Sequence, residues 1–353
     1  MLGLFLPIFL FQKYQSINLV LIYYLFSSII YLFLAAPGAI LSSRLTFRKA
    51  LRISVLGGTI YYICFYFFDR NIWLFSALGL LAFNFDRMFY WVPYHSGFAK
   101  FTDKKTRGRT IAALAALASL LGIALPIMSG FIIGQYGFSV LFLMVTIIYA
   151  ISVVPFFVVP AINEYYSFTY RQTWKLLFHP RDRKILLTYM ASGAEDVVGA
   201  VIWPIFIWEV MIGNYQAIGI ISSMIILVTI LIQLIVGNYT DKFDKKKLLR
   251  YGTILYSLGW FIKIFVQTTF QIFIASTYHN FASIAMRTPF DALMYEKAAD
   301  AGHYVDEYSV LREMALCLGR IFIILILLIL FNFIGLQYAF ILAAFASLII
   351  NLI

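Results

Sequence analysis

Gly237-Asn238-Tyr239-Thr240-Asp241-Lys242-Phe243-Asp244-Lys245-Lys246-Lys247-Leu248-Leu249-Arg250 separates two apolar runs, roughly 216–238 and 251–266. Each run is near the roughly 20 residues that an α-helix needs to cross a bilayer core about 30 Å thick. The quoted stretch is one of five short basic clusters that hold 21 of the chain's 27 Lys and Arg. The others are 44–52, 100–109, 171–184, and the pair Lys297 and Arg312. The alternate gaps hold only Lys13 and Arg70. Basic loops on one side of a membrane orient a multi-pass protein, so these clusters are expected to face the cytoplasm across the cell membrane.

Composition agrees with that frame. The 353 residues are 63% hydrophobic and 12% charged, with mean hydropathy +0.89. A soluble globule of this size has no means of hiding so much apolar surface. Eleven apolar segments have spanning length, roughly 17–42, 51–68, 72–98, 110–134, 138–161, 184–210, 216–238, 251–266, 271–295, 309–333 and 337–353. They are continuously apolar, which argues against the alternating strands of a spanning β-barrel. The net charge of +11 sits beside the spans, where anionic headgroups are the natural partner, so no nucleic-acid partner is expected. Cys64 and Cys317 both fall in apolar spans and do not read as a disulfide framework.

The chain is also written twice. Leu6-Pro7-Ile8-Phe9 answers Trp203-Pro204-Ile205-Phe206, Arg48-Lys49-Ala50-Leu51-Arg52 answers Lys246-Lys247-Leu248-Leu249-Arg250, and Pro93-Tyr94-His95 answers Pro289-Phe290-Asp291. The three pairs share a spacing of 196 to 198 residues. A common offset argues for duplication. Two halves are expected, 1–161 and 184–353, joined by a cytoplasmic linker at 162–183 that reads as a short interfacial helix or loop. Pro204 lies well inside its span whereas Pro7 lies close to Met1, so the first span should be truncated and the natural reading frame should begin upstream.

Two six-span halves with cytoplasmic ends resemble the Major Facilitator Superfamily. The opening stretch carries the resemblance: Gly237, Asp241, Lys242, Lys245 and Lys246 match the family's G-x-x-x-D-R/K-x-G-R/K-R/K loop, with Asp244 in place of the second glycine. In the first half Ala39, Ser43 and Arg44 stand at the equivalent places, and Ser43 replaces the aspartate. Gly122 to Gly130 in the fifth span partly resembles the family's antiporter motif, though Leu125 and Ser129 replace glycines. It equally suits a kinked helix with a small-residue face. The resemblance implies an all-α polytopic membrane protein of two six-helix bundles related by pseudo-two-fold symmetry, with about 12 transmembrane helices, the first truncated. It implies that spans 1, 4, 7 and 10 line a central cavity. It assigns Gly237, Asp241 and Lys242 to gating, Gly237 by close helix approach and Asp241 by accepting from a facing helix N-terminus.

A charge at mid-bilayer is costly unless paired or wet, so each needs a reason. Asp86, Arg87 and His95 fall on span 4, Glu195 and Asp196 on span 7, and His279, Arg287 and Asp291 on span 10. Lys263 and Arg320 lie elsewhere. Glu195 and Asp196 suit proton or cation coupling, because a carboxyl in low dielectric can load and unload a proton near neutral pH. They equally suit structural pairing with Arg87, Arg287 or Arg320. Arg287 and Asp291, four apart, permit an ion pair. Alternatively Arg287 meets an anionic substrate group while Asp291 gates. Arg87 shares a stripe with Trp91 and Tyr94, which suits either an organic substrate or ordinary packing. Trp203 completes the candidate cavity lining. Asp86 reads as a partner. Lys263 reads as snorkelling to headgroups, and Arg320 as a brace between the halves.

The expected activity is secondary active transport of a small solute by alternating access, with a proton as coupling ion and a monomer as working unit. No phosphate-binding P-loop sequence occurs, and no enzymatic activity, cofactor or metal is expected. Two rival readings fit the same composition: a polytopic enzyme acting on a lipid-linked substrate, and a non-transporting membrane sensor with the same fold. The longest loop, roughly 20 residues, has no catalytic constellation.

Overall fold

A computed structural model describes the backbone of residues 2–101, 107–159, 166–240, 245–300 and 305–352. Side chains are described over the same residues except 92, 94–101, 107–116, 234–240, 245, 246, 291–300, 305 and 306. The chain runs α1 (Phe5–Tyr14), α2 (Ile17–Ser43), α3 (Phe47–Tyr66), α4 (Ile72–Phe101), α5 (Arg107–Ile151), α6 (Tyr170–Leu177), α7 (Arg183–Val197), α8 (Trp203–Val210), α9 (Tyr215–Thr240), α10 (Lys245–Lys263), α11 (Thr269–Asp300), α12 (Val305–Leu330) and α13 (Ala339–Ile349). Among the described residues six helical stretches are long and apolar enough to cross a membrane, and α13 lies within a shorter apolar one, Leu336–Leu352. Large apolar side chains such as Leu56, Leu81 and Phe322 stand outward, where lipid rather than water must cover them.

Sequence and helix count meet at two breaks. The fourth and fifth apolar segments fuse into α5 across Gly137, whose φ of 81° is open to glycine at little cost. The sixth splits into α7, a π-helical stretch Val198–Ile202, and α8. Pro204 lacks a backbone N–H and its ring crowds the carbonyl one turn back. A wider π turn accommodates it, and such bulges collect at functional sites. The expected linker contains α6, opened by a capping box in which Thr169 and Gln172 satisfy each other's backbone N–H groups. Thr173 and Leu177 of α6 are buried, and Arg171 and Lys175 are exposed. Ser167 fastens the approach to α6 by donating from N and Oγ to Glu307 Oε1, at 2.8 and 2.6 Å.

The packing repeats from one half to the other. Helix α4 packs on α3 and α2, as α11 packs on α10 and α9; α5 packs on α3, as α13 packs on α10. Between the halves, α2 lies on α12 and α5 on α9. That exchange of equivalent partners is the pseudo-two-fold relation of the two six-helix bundles. At the end away from the basic clusters the halves also meet through rings: Phe11 against Trp208 at 5.9 Å, and Phe5 and Phe138 against Tyr215 at 6.4 and 5.4 Å. Helix α7 lies very close on α12. Gly193 faces the Leu316 carbonyl and Gly319 the Met190 carbonyl, and a Cβ at either place would overlap that oxygen. Gly319→Val is therefore expected to lower stability by about 1–3 kcal/mol, the usual cost of overpacking. A melting curve in detergent matching the parent protein would show that the two helices separate freely.

Candidate functional site

Close packing of α7 on α12 brings the chain's internal charges together. Glu195 and Asp196 end α7, one residue before the π stretch. Arg287 Nη2 of α11 lies 3.5 Å from Glu195 Oε2 and 3.9 Å from Asp196 Oδ1. Arg320 Nη2 of α12 donates to Asp196 Oδ2 at 3.1 Å. Tyr256 of α10 donates its hydroxyl to Glu195 Oε1. The pairing that the sequence left open is therefore made, with Arg287 and Arg320 as the cations. Arg320 does not brace the two halves as expected: its acid is on α7, in the same half, because the small faces at Gly193 and Gly319 bring those helices within reach.

Accessibility divides the cluster. The Glu195 side chain is 4% exposed, but those of Arg287, Asp196 and Arg320 are 48%, 32% and 22% exposed. Charges part-way along membrane helices do not face hydrocarbon. Their accessible edges therefore face the bundle interior rather than lipid, with Glu195 behind them.

A second charged contact joins the halves. Arg87 Nη2 of α4 lies 3.6 Å from Glu313 Oε2 of α12, with both side chains at 10% exposure or less. The guanidinium sits 3.7 Å over the Tyr31 ring and 5.5 Å from that of Phe83. Trp91 packs nearby against the α2–α12 cluster that includes Tyr31 and Met314. Asp86, one residue from Arg87, points the other way and accepts from Tyr149 at 3.0 Å. On α12, Glu313 and Arg320 are two turns apart on one face, about 10 Å by helical rise. One helix thus carries the end of each charged group.

One expectation fails by burial. Lys263 does not snorkel: it is 3% exposed, its ammonium 4.4 Å from the Trp203 ring and 4.0 Å from the Trp260 ring. Closing that end of α10 between two indoles gives the cation aromatic faces instead of headgroups. Trp203 itself is 8% exposed and set against Phe206 and Phe340. His279 lies between Tyr256 and Trp260, tilted on the first and edge-on to the second, with ring centroids 4.3 and 4.4 Å away.

The side chains of Tyr94, His95, Gly237, Asp241, Lys242 and Asp291 lie outside the described residues, so the gating loop and the Arg287–Asp291 pair have no geometry here. Glu313 and Tyr256 were not singled out from sequence. Glu313 sits beside Arg312 near a basic cluster and passes for an interfacial residue. Its place on the face of Arg320, seven residues on, was the available signal. Tyr256 is one of 24 tyrosines and carried none. Among the described residues no group of three or more potential metal ligands gathers.

A duplicated bundle of apolar helices, with charges paired between helices in its interior, defines the transporter class of fold. The Major Facilitator Superfamily model matches residues 1–195 and again 185–353, and the chain belongs to that family. No curated relative matches it. Among solved structures it is similar to a D-xylose-proton symporter, with TM-score 0.69 and 12% identity over 95% of this chain and 86% of that one. It is also similar to the Major Facilitator transporter FucP in the outward conformation, with TM-score 0.62 and 12% identity over 95% and 89% of the two chains. The xylose transporter XylE from E. coli, partially occluded and inward open, aligns with TM-score 0.66 and 13% identity over 95% and 86%. At such identities the likeness is one of fold, and it supports neither an enzyme nor a sensor.

Proposed function

We propose that this chain is a proton-coupled secondary transporter that moves a small solute by alternating access. Its halves, 1–161 and 184–353, rock about a site near the middle of the spans, and 162–183 tethers them. The basic loops face the cytoplasm across the cell membrane, and the monomer is the working unit. One observation carries this: a buried carboxyl, Glu195, stands directly behind a half-exposed guanidinium, Arg287. A proton reaching Glu195 changes the charge that Arg287 presents to a solute. The buried group stores the coupling ion, and the exposed group reports its presence. That one of the similar structures is named as a D-xylose-proton symporter supports the same coupling.

The test uses purified full-length protein in proteoliposomes containing a trapped pH-sensitive dye, with sugars, amino acids and carboxylates added outside in turn. A transported solute is expected to acidify the interior and to show counterflow. Counterflow without proton movement would make the protein an uncoupled carrier. Neither signal with any solute would end the transport assignment.

A further inference from the structure

We infer that the solute is a small organic carboxylate, seated on Arg287 and Arg320, and that it travels with the proton that neutralises Glu195. This deepens the transport assignment and rests on it.

Charge supplies the first argument. Glu195, Asp196, Arg287 and Arg320 cancel when all are ionised. Lys263 adds one positive charge, but it is closed off between Trp203 and Trp260. A single proton on Glu195 therefore leaves an uncompensated positive charge at Arg287, the most exposed member of the group. An anion fills that deficit. A neutral sugar leaves it unmet, and a cation meets two guanidinium groups.

Geometry supplies the second. A well-formed charged N–H···O contact is about 2.7–2.9 Å long. Arg287 stands 3.5 and 3.9 Å from its two acids, so it is held loosely by both. A guanidinium offers five N–H donors in a fork that matches a carboxylate. Arg320 approaches the same Asp196 from α12, which places a second fork beside the first. Asp196 keeps Arg320 as its closer partner, and Glu195 is the acid that loses most when Arg287 turns to a ligand. Protonated, Glu195 still accepts from Tyr256 and no longer needs a cation. The exchange is balanced: the proton enters at the Glu195 carboxyl, the Glu195–Arg287 contact breaks, and the Arg287–carboxylate contact forms.

The groups around Glu195 are consistent with one titrating site. Tyr256 and Lys263 come from α10, His279 and Arg287 from α11, and Glu313 and Arg320 from α12. Helix α13 brings no titratable side chain. Among the described residues Arg287 is the one in ion-pair contact with Glu195, so the ligand's competition for Arg287 is felt at Glu195 first. By reciprocity, the proton strengthens carboxylate binding by the same factor as the carboxylate strengthens proton binding.

The experiment is a thermal-shift titration of the full chain in detergent with lactate, benzoate and succinate, and with xylose and choline as neutral and cationic probes. The buffer runs from about pH 6 to about 8, where the carboxylates stay ionised. At least one carboxylate is expected to raise the melting temperature. Its apparent affinity should tighten about tenfold per unit fall in pH while Glu195 is ionised in the empty protein. Glu195→Gln should keep the carboxylate shift and lose its pH dependence. Arg287→Gln should abolish the shift. Should that variant not fold, Arg287→Lys keeps the charge, removes the fork, and should bind at least tenfold more weakly. Stabilisation by xylose or choline alone, by none of the five, or by a carboxylate undiminished in the Arg287 variant overturns the inference. Counterflow of xylose would remove the substrate class and leave transport standing. Carboxylate binding without any counterflow would do the reverse.

Discussion

Glu313→Ala is expected to destabilise the protein by about 3–5 kcal/mol, the cost of leaving one member of a buried ion pair without its partner. The variant strands Arg87, whose side chain is 10% exposed and enclosed by Tyr31 and Phe83. The aromatic faces soften the loss, since a desolvated cation over a ring gains about 2 kcal/mol, but they do not replace a counter-ion. Arg312, 3.7 Å from the same carboxylate, is 39% exposed and turns to water at little cost. The double variant Arg87→Met/Glu313→Leu removes both charges and fills the space with apolar groups. It is expected to regain most of the lost stability. Its effect should appear in transport instead, because this contact joins α4 to α12 across the two halves and any rocking motion must hold or break it. Unfolding midpoints of the single and double variants decide the matter. A Glu313→Ala midpoint within about 0.5 kcal/mol of the parent, the usual scatter of surface substitutions, would show that Arg87 is already solvated.

What the sequence could show depended on the physics involved. Span positions were legible because a bilayer imposes a length and a hydropathy on every crossing, and the basic clusters mark alternate loops. The duplication was legible because three landmark pairs keep one spacing. That Glu195 and Asp196 would need cations was legible from the cost of charge inside a membrane, as was the short field of candidates. Which cation met which acid was not, because it turns on helix rotation and on the close approach permitted at Gly193 and Gly319. Lys263 was misjudged for a related reason. Its position along α10 suggested headgroups, but only the packed structure shows Trp203 and Trp260 closing over it. Trp203 is buried beside it, and an indole near the spans' middle looks the same in sequence whether it lines an opening or fills a core. Glu313 escaped notice because charge near a basic cluster reads as interfacial, whereas helix α12 carries it inward against α4.

Glu195→Gln is expected to remove concentrative transport while leaving exchange intact. With one proton per solute and no net charge moved, a gradient of one pH unit is worth 1.36 kcal/mol and sustains about tenfold accumulation. Glutamine keeps the volume of the side chain and an oxygen that accepts from Tyr256, but it cannot carry the proton. Accumulation under the same gradient should therefore fall to equality across the membrane, a loss of about tenfold. Counterflow, which needs binding and rocking but no net proton movement, should persist. The substitution also fixes the charge that Arg287 sees in the protonated form, so exchange should lose its pH dependence. Asp196→Asn supplies the contrast. Asp196 is 32% exposed and holds Arg320 at 3.1 Å, so its loss should weaken the seat for solute without abolishing the response to a pH gradient. Uptake driven by an imposed pH gradient, with the membrane potential clamped, separates the two variants. Tenfold accumulation retained by Glu195→Gln would move proton coupling to another group, and Asp196 would be the next to examine.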